Sequence, residues 1–193
     1  MIRPLSRVFA AALLYLGLSA PVLSQAAQVS ISASPTPTQV GQNFGVDVRI
    51  DDVQDLYGFQ FSLGFDPAVL RVAGSSEGDF LSSAGSTVSD PGTIDNDAGV
   101  LSYAYSVLVG PIPGASGSGV LLHVDFTALA AGTTALTFGD VLFLDSQLAD
   151  IAVTVVPGSV AVTAVPEPAS VGLLLAGLGL VAACRRSQSR GAA

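Results

Sequence analysis

The sequence predicts an all-β fold: a two-sheet antiparallel β-sandwich of about nine strands, flanked by an N-terminal signal peptide and a C-terminal transmembrane helix. Three observations lead there. Apolar and polar residues alternate with period two along most of the central segment. Clusters of Asp, Pro and Gly separate the alternating runs. No stretch between Gln28 and Thr163 sustains the 3.6-residue period of an amphipathic helix. One-sided strands without helices between them pair antiparallel, and two such sheets packed face to face bury their apolar sides.

Residues 1–27 read as an export signal. Arg3 and Arg7 precede an apolar run of 11 residues at 8–18, and Pro21 breaks the helix. Small residues at Ser24 and Ala26 suit signal peptidase, placing cleavage after Ala26 or Ala27. Eleven apolar residues are too few to span the ~30 Å of a bilayer core.

The exported domain, 28–163, then follows strand by strand. A run at 29–33 opens it. Phe44, Val46, Val48 and Ile50 point one way, with Gly45, Asp47 and Arg49 opposite. Tyr57, Phe59, Phe61, Leu63 and Phe65 form the longest inward stripe, opposite Gly58, Gln60, Ser62 and Gly64. Leu122, Val124 and Phe126 alternate with His123, Asp125 and Thr127. Further strands are predicted at 69–73, 100–107, 134–138, 141–144 and 151–155, with an edge at 160–162. Asp66-Pro67, Asp90-Pro91-Gly92, residues 95–99, residues 110–114 and Gly139-Asp140 are the breakers, and the Gly/Ser stretch at 114–119 reads as a flexible connection.

A third segment, 164–193, opens with Pro166-Glu167-Pro168. Residues 169–184 carry no charge, and Arg185, Arg186 and Arg190 come next. Sixteen residues at ~1.5 Å each make roughly 24 Å of helix, a thin span with basic residues on the cytoplasmic side. Cys184 is the sole cysteine, so no intrachain disulfide forms and the domain must hold together by core burial.

Charge and side-chain inventory exclude several functions. The chain has seven arginines, no lysine and 15 acidic residues, for a net charge of -8. Between Gln28 and Val165 only Arg49 and Arg71 face 14 acidic residues, a net of -12. Such a surface repels phosphate backbones and excludes nucleic acid; it suits a cationic partner, calcium or a neutral glycan. His123 is the only histidine, which rules out a multi-histidine metal site, and its parity with Asp125 makes it a solvated strand residue. The sequence at 114–119 lacks the Gly-x-Ser-x-Gly elbow of a serine hydrolase. Paired carboxylates acting on glycosides need a cleft that a sandwich without long insertions does not offer. A non-catalytic protein without a cofactor is expected.

Two acidic clusters remain. Asp51, Asp52 and Asp55 gather at a strand end, and Asp95 and Asp97 flank Asn96 in a turn. Calcium takes six to eight oxygens, which carboxylates and carbonyls of such loops supply; the same residue types also form turns for conformational reasons alone. Tyr103 and Tyr105 share one strand parity that predicts core packing, with sugar stacking as the alternative.

Two resemblances complete the sequence reading. Pro166-Glu167-Pro168, the short apolar helix and Arg185-Arg186 resemble the PEP-CTERM sorting signal. That resemblance implies processing at Pro166, Glu167 and Pro168 by an exosortase, in a Gram-negative bacterium, after transient anchoring in the inner membrane, with delivery to the cell surface or extracellular matrix. The stretch at 56–70, LYGFQFSLGFDPAVL, resembles the signature strand pair of the cohesin family. Residues 40–50, 78–81, 119–126 and 142–151 resemble its flanking elements. This implies a nine-stranded jelly roll acting as a non-catalytic receptor for dockerin-type partners. A carbohydrate-binding module associated with extracellular polysaccharide, or a purely structural matrix protein, is the alternative function.

Overall fold

A computed structural model describes residues 26–34 and 37–165. Arg3, Arg7, Ser24, the Pro166-Glu167-Pro168 motif, the predicted helix at 169–184, Arg185 and Arg186 lie outside the described residues. Among those described, no helix is long and apolar enough to cross a membrane.

The elements run β1 (Ala27–Ser34), β2 (Thr38–Gln39), β3 (Asn43–Gly64), β4 (Leu70–Glu77), α1 (Asp79–Ser82), β5 (Thr87–Asp90), β6 (Thr93–Asp95), β7 (Val100–Leu108), β8 (Ala115–Ala128), β9 (Gly132–Asp145), β10 (Val153–Val156) and β11 (Gly158–Thr163). The 22-residue β3 organises them. Its first half pairs with β1 on one side and β8 on the other, and β10 and β4 extend that layer at its two edges. Its second half pairs with β7 and β9, and this layer continues to β5 and β6 beyond β7, and to β11 and β2 beyond β9. One strand is therefore central to both layers of the sandwich.

Two extra residues let β3 turn the corner. Ile50, Val53 and Leu56 face Gly119, Gly117 and Ala115 of β8, so β3 advances three residues for every two of its partner. Each surplus residue is a β-bulge, which bends and twists the strand that carries it. Asp52 and Asp55 lie in the left-handed region, at φ 56° and 58°. Asp tolerates that region better than bulkier residues do. Burial follows the bulges: Ile50, Val53 and Leu56 are each fully buried, so the inward period becomes three at the corner. Before it the inward residues are Phe44, Val46 and Val48, and after it Phe59, Phe61 and Leu63.

The core between the layers is aromatic and aliphatic. Phe126 of β8 stacks on Phe44 at 5.8 Å and meets Phe65 edge-on at 5.4 Å. Phe59, Phe61, Phe138 and Phe143 form a second cluster. The short α1 seals the sandwich margin with buried Phe80 and Leu81. Gly119 makes this possible, because a Cβ there would lie 2.6 Å from the Phe80 ring.

The two-layer sandwich is as expected, with differences in detail: eleven strands are described where about nine were expected, and β1–β10 and β2–β11 pair parallel. The strands foreseen at 44–50 and 57–65 are one strand, as are those at 134–138 and 141–144. Gly139-Asp140 is a bulge inside β9 rather than a break. The stretch at 114–119 is not a flexible connection: from Ala115 it belongs to β8, because Gly117 and Gly119 are the partners of the β3 corner. The helix α1 and the short strands β2, β5 and β6 were not foreseen. Ala27 is the first residue of β1, buried and paired with Val153, so the folded domain begins one residue earlier than 28.

Phe126→Ala removes the ring common to both halves of the core and is expected to cost about 3–5 kcal/mol. Urea unfolding followed by circular dichroism measures it.

Candidate functional site

Cross-strand register sets which side chains share the outer face of the second layer. Val107, Gly58 and Leu144 form one row, and Val88 of β5 extends it. Tyr105, Gln60 and Leu142 form the next, with Asp90 beyond. Val88 is 53 % exposed, Leu142 40 % and Tyr105 37 %, an uncommon density of apolar surface on an exported strand face. Gly58 leaves a shallow hollow of about 150 Å³ between Tyr105, Val107, Leu142 and Leu144.

Ser62 shapes the far end of this face. Its hydroxyl donates to Asp140 Oδ2 at 3.0 Å and accepts the Tyr103 N–H at 3.1 Å. Tyr103 and Asp140 both lie at positive φ, 54° and 49°, in bulges on the two strands flanking β3. The bulge at Tyr103 shifts the parity of β7: Leu101 is buried, and so are Ala104, Ser106 and Leu108. Tyr103 and Tyr105 are therefore not in the core as their sequence parity predicted; Tyr103 is 59 % exposed.

Behind β7, Glu77 at the end of β4 gathers three hydroxyls. Ser106 donates to its carboxylate at 2.5 Å, Ser89 at 2.7 Å and Thr87 at 3.1 Å. This links the edge of the first layer to the strands that carry the apolar face.

One carboxylate of each acidic cluster accepts backbone N–H groups. Asp55 accepts the Gly114 N–H at 2.7 Å and the Ser146 hydroxyl at 2.6 Å, while the Ser116 and Ser118 hydroxyls accept the N–H groups of Asp55 and Asp52. The Ser146 hydroxyl and then the Gly114 amide hold the Asp55 carboxyl below the usual carboxylate range. Asp51 pairs with Gln28 of β1, and Asp95 accepts the N–H groups of Asp97 and Ala98 in a tight turn. Among the described residues, no three His, Cys, Asp or Glu side chains converge to hold a metal ion.

His123 lies on the outer face of the first layer, across Gly45. Its Nδ1 meets Asp47 Oδ1 at 2.6 Å and its Nε2 lies 3.4 Å from Asp125. The Asp47 hydrogen bond raises its pKa above the ordinary 6.5. Antiparallel register puts Asp47 directly opposite His123, a partner that parity alone did not reveal.

The architecture is a two-layer β-sandwich with exposed apolar residues on the outer face of one layer. Family models match two segments: a cohesin domain over residues 27–162 and a PEP-CTERM protein-sorting motif over residues 164–189. The chain belongs to the cohesin family and carries a PEP-CTERM sorting motif after the domain. Among solved structures, it is similar to a non-cellulosomal cohesin from the archaeon Archaeoglobus fulgidus, with a TM-score of 0.59 and 17 % identity over 72 % of this chain and 92 % of that one. A chain from a type II cohesin–X–dockerin complex of Acetivibrio cellulolyticus gives 0.60 and 17 % identity over 71 % and 99 %. One from a type I cohesin–dockerin complex of Clostridium thermocellum gives 0.58 and 15 % identity over 72 % and 100 %. No curated protein matches the chain.

Two titrations check the site geometry. The raised pKa of His123 means its ion pairs stabilise the fold fully below pH 6.5, and this contribution is lost as pH rises through the raised value. Both partners are about 40 % exposed, so the effect is at most ~1 kcal/mol. NMR titration of the ring should read a pKa above 6.5 that Asp47→Asn brings down. Asp55 has the opposite sign. Its contribution is present above pH 3.8 and lost as pH falls through the depressed value, and Ser146→Ala should raise the Asp55 pKa seen by carboxyl NMR.

Proposed function

We propose that the chain is an exported, exosortase-processed protein of the cell surface or extracellular matrix of a Gram-negative bacterium, and that its cohesin domain docks a dockerin-type protein. Signal peptidase and an exosortase are its processing partners, and the inner membrane holds it through residues 169–184 until processing. Cohesin domains are non-catalytic binding modules.

The observation that carries the docking reading is the apolar outer face of β9, β3, β7 and β5. Tyr105, Val107, Leu142 and Leu144 surround the hollow at Gly58, where a partner side chain would be desolvated, and Val88 extends the face beyond Val107. Interface energy concentrates in such apolar centres, with polar rims contributing complementarity. Asp90 and Asp140 border the face, and the central segment has only two arginines against 14 acidic residues, so the partner surface would be basic at its rim. Dockerins are present in two of the solved complexes to which the chain is similar.

The placement of the ends agrees with this handling. Ala27 is buried in β1, which favours signal cleavage after Ala26. The last strand ends at Thr163, so a cut near Glu167 leaves every paired strand intact.

A second reading rests on the exposure of Tyr103 and Tyr105. Solvent-facing tyrosines on one strand give a platform on which a neutral polysaccharide ring stacks.

Surface plasmon resonance against dockerin domains from the same genome tests the first reading. Leu142→Asp and Tyr105→Ala are each expected to weaken binding at least tenfold, while Ser32→Ala on the opposite layer leaves it unchanged. Equal binding by all three variants, or no dockerin bound, overturns it. A glycan array lost by Tyr105→Ala would establish the second reading instead.

A further inference from the structure

The outer margin of the first layer holds a separate, polar hollow of about 350 Å³ between β3, α1 and β8. Arg49, Asp79, Phe80, Ser83, Ser118 and Gly119 line it. Arg49 is one of two arginines in a segment with 14 acidic residues. The only charged contacts among the described residues are the two made by His123, so Arg49 has no carboxylate partner there. In so acidic a domain, that leaves an anion-binding guanidinium open to a ligand.

The other polar groups define what else the ligand carries. Ser118 Oγ accepts the Asp52 N–H, which leaves its own proton to donate into the hollow. Ser83 donates to the Phe80 carbonyl, which leaves lone pairs to accept. Asp79 is an exposed carboxylate with acceptor capacity alone. Arg49 and Ser118 therefore supply donors, and Asp79 and Ser83 supply acceptors, around a space at the lower end of the ~300–1,000 Å³ range of small-molecule sites. A ligand satisfying both sets has a carboxylate for Arg49 and alcohol hydroxyls for Asp79.

We propose that this hollow binds a uronic-acid sugar unit, with Arg49 taking its carboxylate and Asp79 its ring hydroxyls. A carboxylate on a peptide without hydroxyls would leave the Asp79 acceptors without donors. The strongly negative field of the domain opposes a dense polyanion, so the unit recognised is an isolated uronate and not a run of them. This site lies on the opposite layer from the docking face and stands or falls independently of it.

NMR titration of the full chain with D-glucuronate tests the proposal, with D-glucose, glucuronate methyl ester and a glutamate tripeptide as parallel probes. Saturable shifts at the Ser118 and Gly119 amides are expected with glucuronate, at least tenfold weaker with each of the other three. Arg49→Gln and Asp79→Asn should each weaken glucuronate at least tenfold, and Arg71→Gln should not. Asp79 is exposed and caps no other group, so its variant keeps the test valid if Arg49→Gln proves poorly folded. No saturable shift, equal binding of the ester or the tripeptide, or indifference to Asp79→Asn would overturn it.

Discussion

The sandwich depends on the corner in β3. A single strand passes from the centre of one layer to the centre of the other, and it does so over seven residues, 50–56, by inserting two bulges. At that point the backbone departs from strand geometry, and groups that a ladder would satisfy need other partners. The hydroxyls of Ser116 and Ser118 accept the freed N–H groups, and the Asp55 carboxylate binds Gly114 and Ser146. The serines and Asp55 thus supply partners to the bulged backbone.

The same device shapes the far end of the apolar outer face. Bulges at Tyr103 and Asp140 flank Ser62 on both sides of β3, and the Ser62 hydroxyl contacts both. Non-glycine residues at positive φ carry local strain that surrounding contacts must hold. Here the contacts come from the central strand itself, so the outward aim of Tyr103 and the position of Asp140 are fixed by one buried side chain. The apolar rows nearer β5 need no such device, because regular pairing with Gly58 and Gln60 already spaces them.

Much of this was legible in the sequence, and the failures have physical causes. Period-two alternation identified the strands, since burial on one face is what the pattern encodes. The inward residues change from even to odd numbers between Ile50 and Phe59, because a third shift, between Leu56 and Gly58 against β9, follows the two bulges against β8. It was read as two strands with a loop because the groups that stabilise the bulges, Ser116, Ser118 and Ser146, are about 60 to 90 residues away along the chain. Tyr103 and Tyr105 were misplaced for the same reason, their parity being reversed by a bulge that Ser62 holds from 41 residues away. The glycines at 117 and 119 looked like linker because glycine has weak strand propensity, yet the corner and the Phe80 ring require residues without side chains there.

Placing the sheet centre on one strand also separates the core from the apolar outer face. The two layers share a core that is complete without the outer rows: Phe59, Phe61, Leu63 and Phe143 face inward and are buried whether or not a partner binds. Val88, Tyr105 and Leu142 therefore owe little to folding and are free to serve recognition. Net negative charge on the rest of the surface opposes self-association through that face, since a second copy would bring like charges to the rim. A partner with a basic rim removes that repulsion while covering the same apolar rows. On the docking reading, the charge would act as a filter on what the face accepts, and the apolar rows would supply the binding energy once the filter is passed.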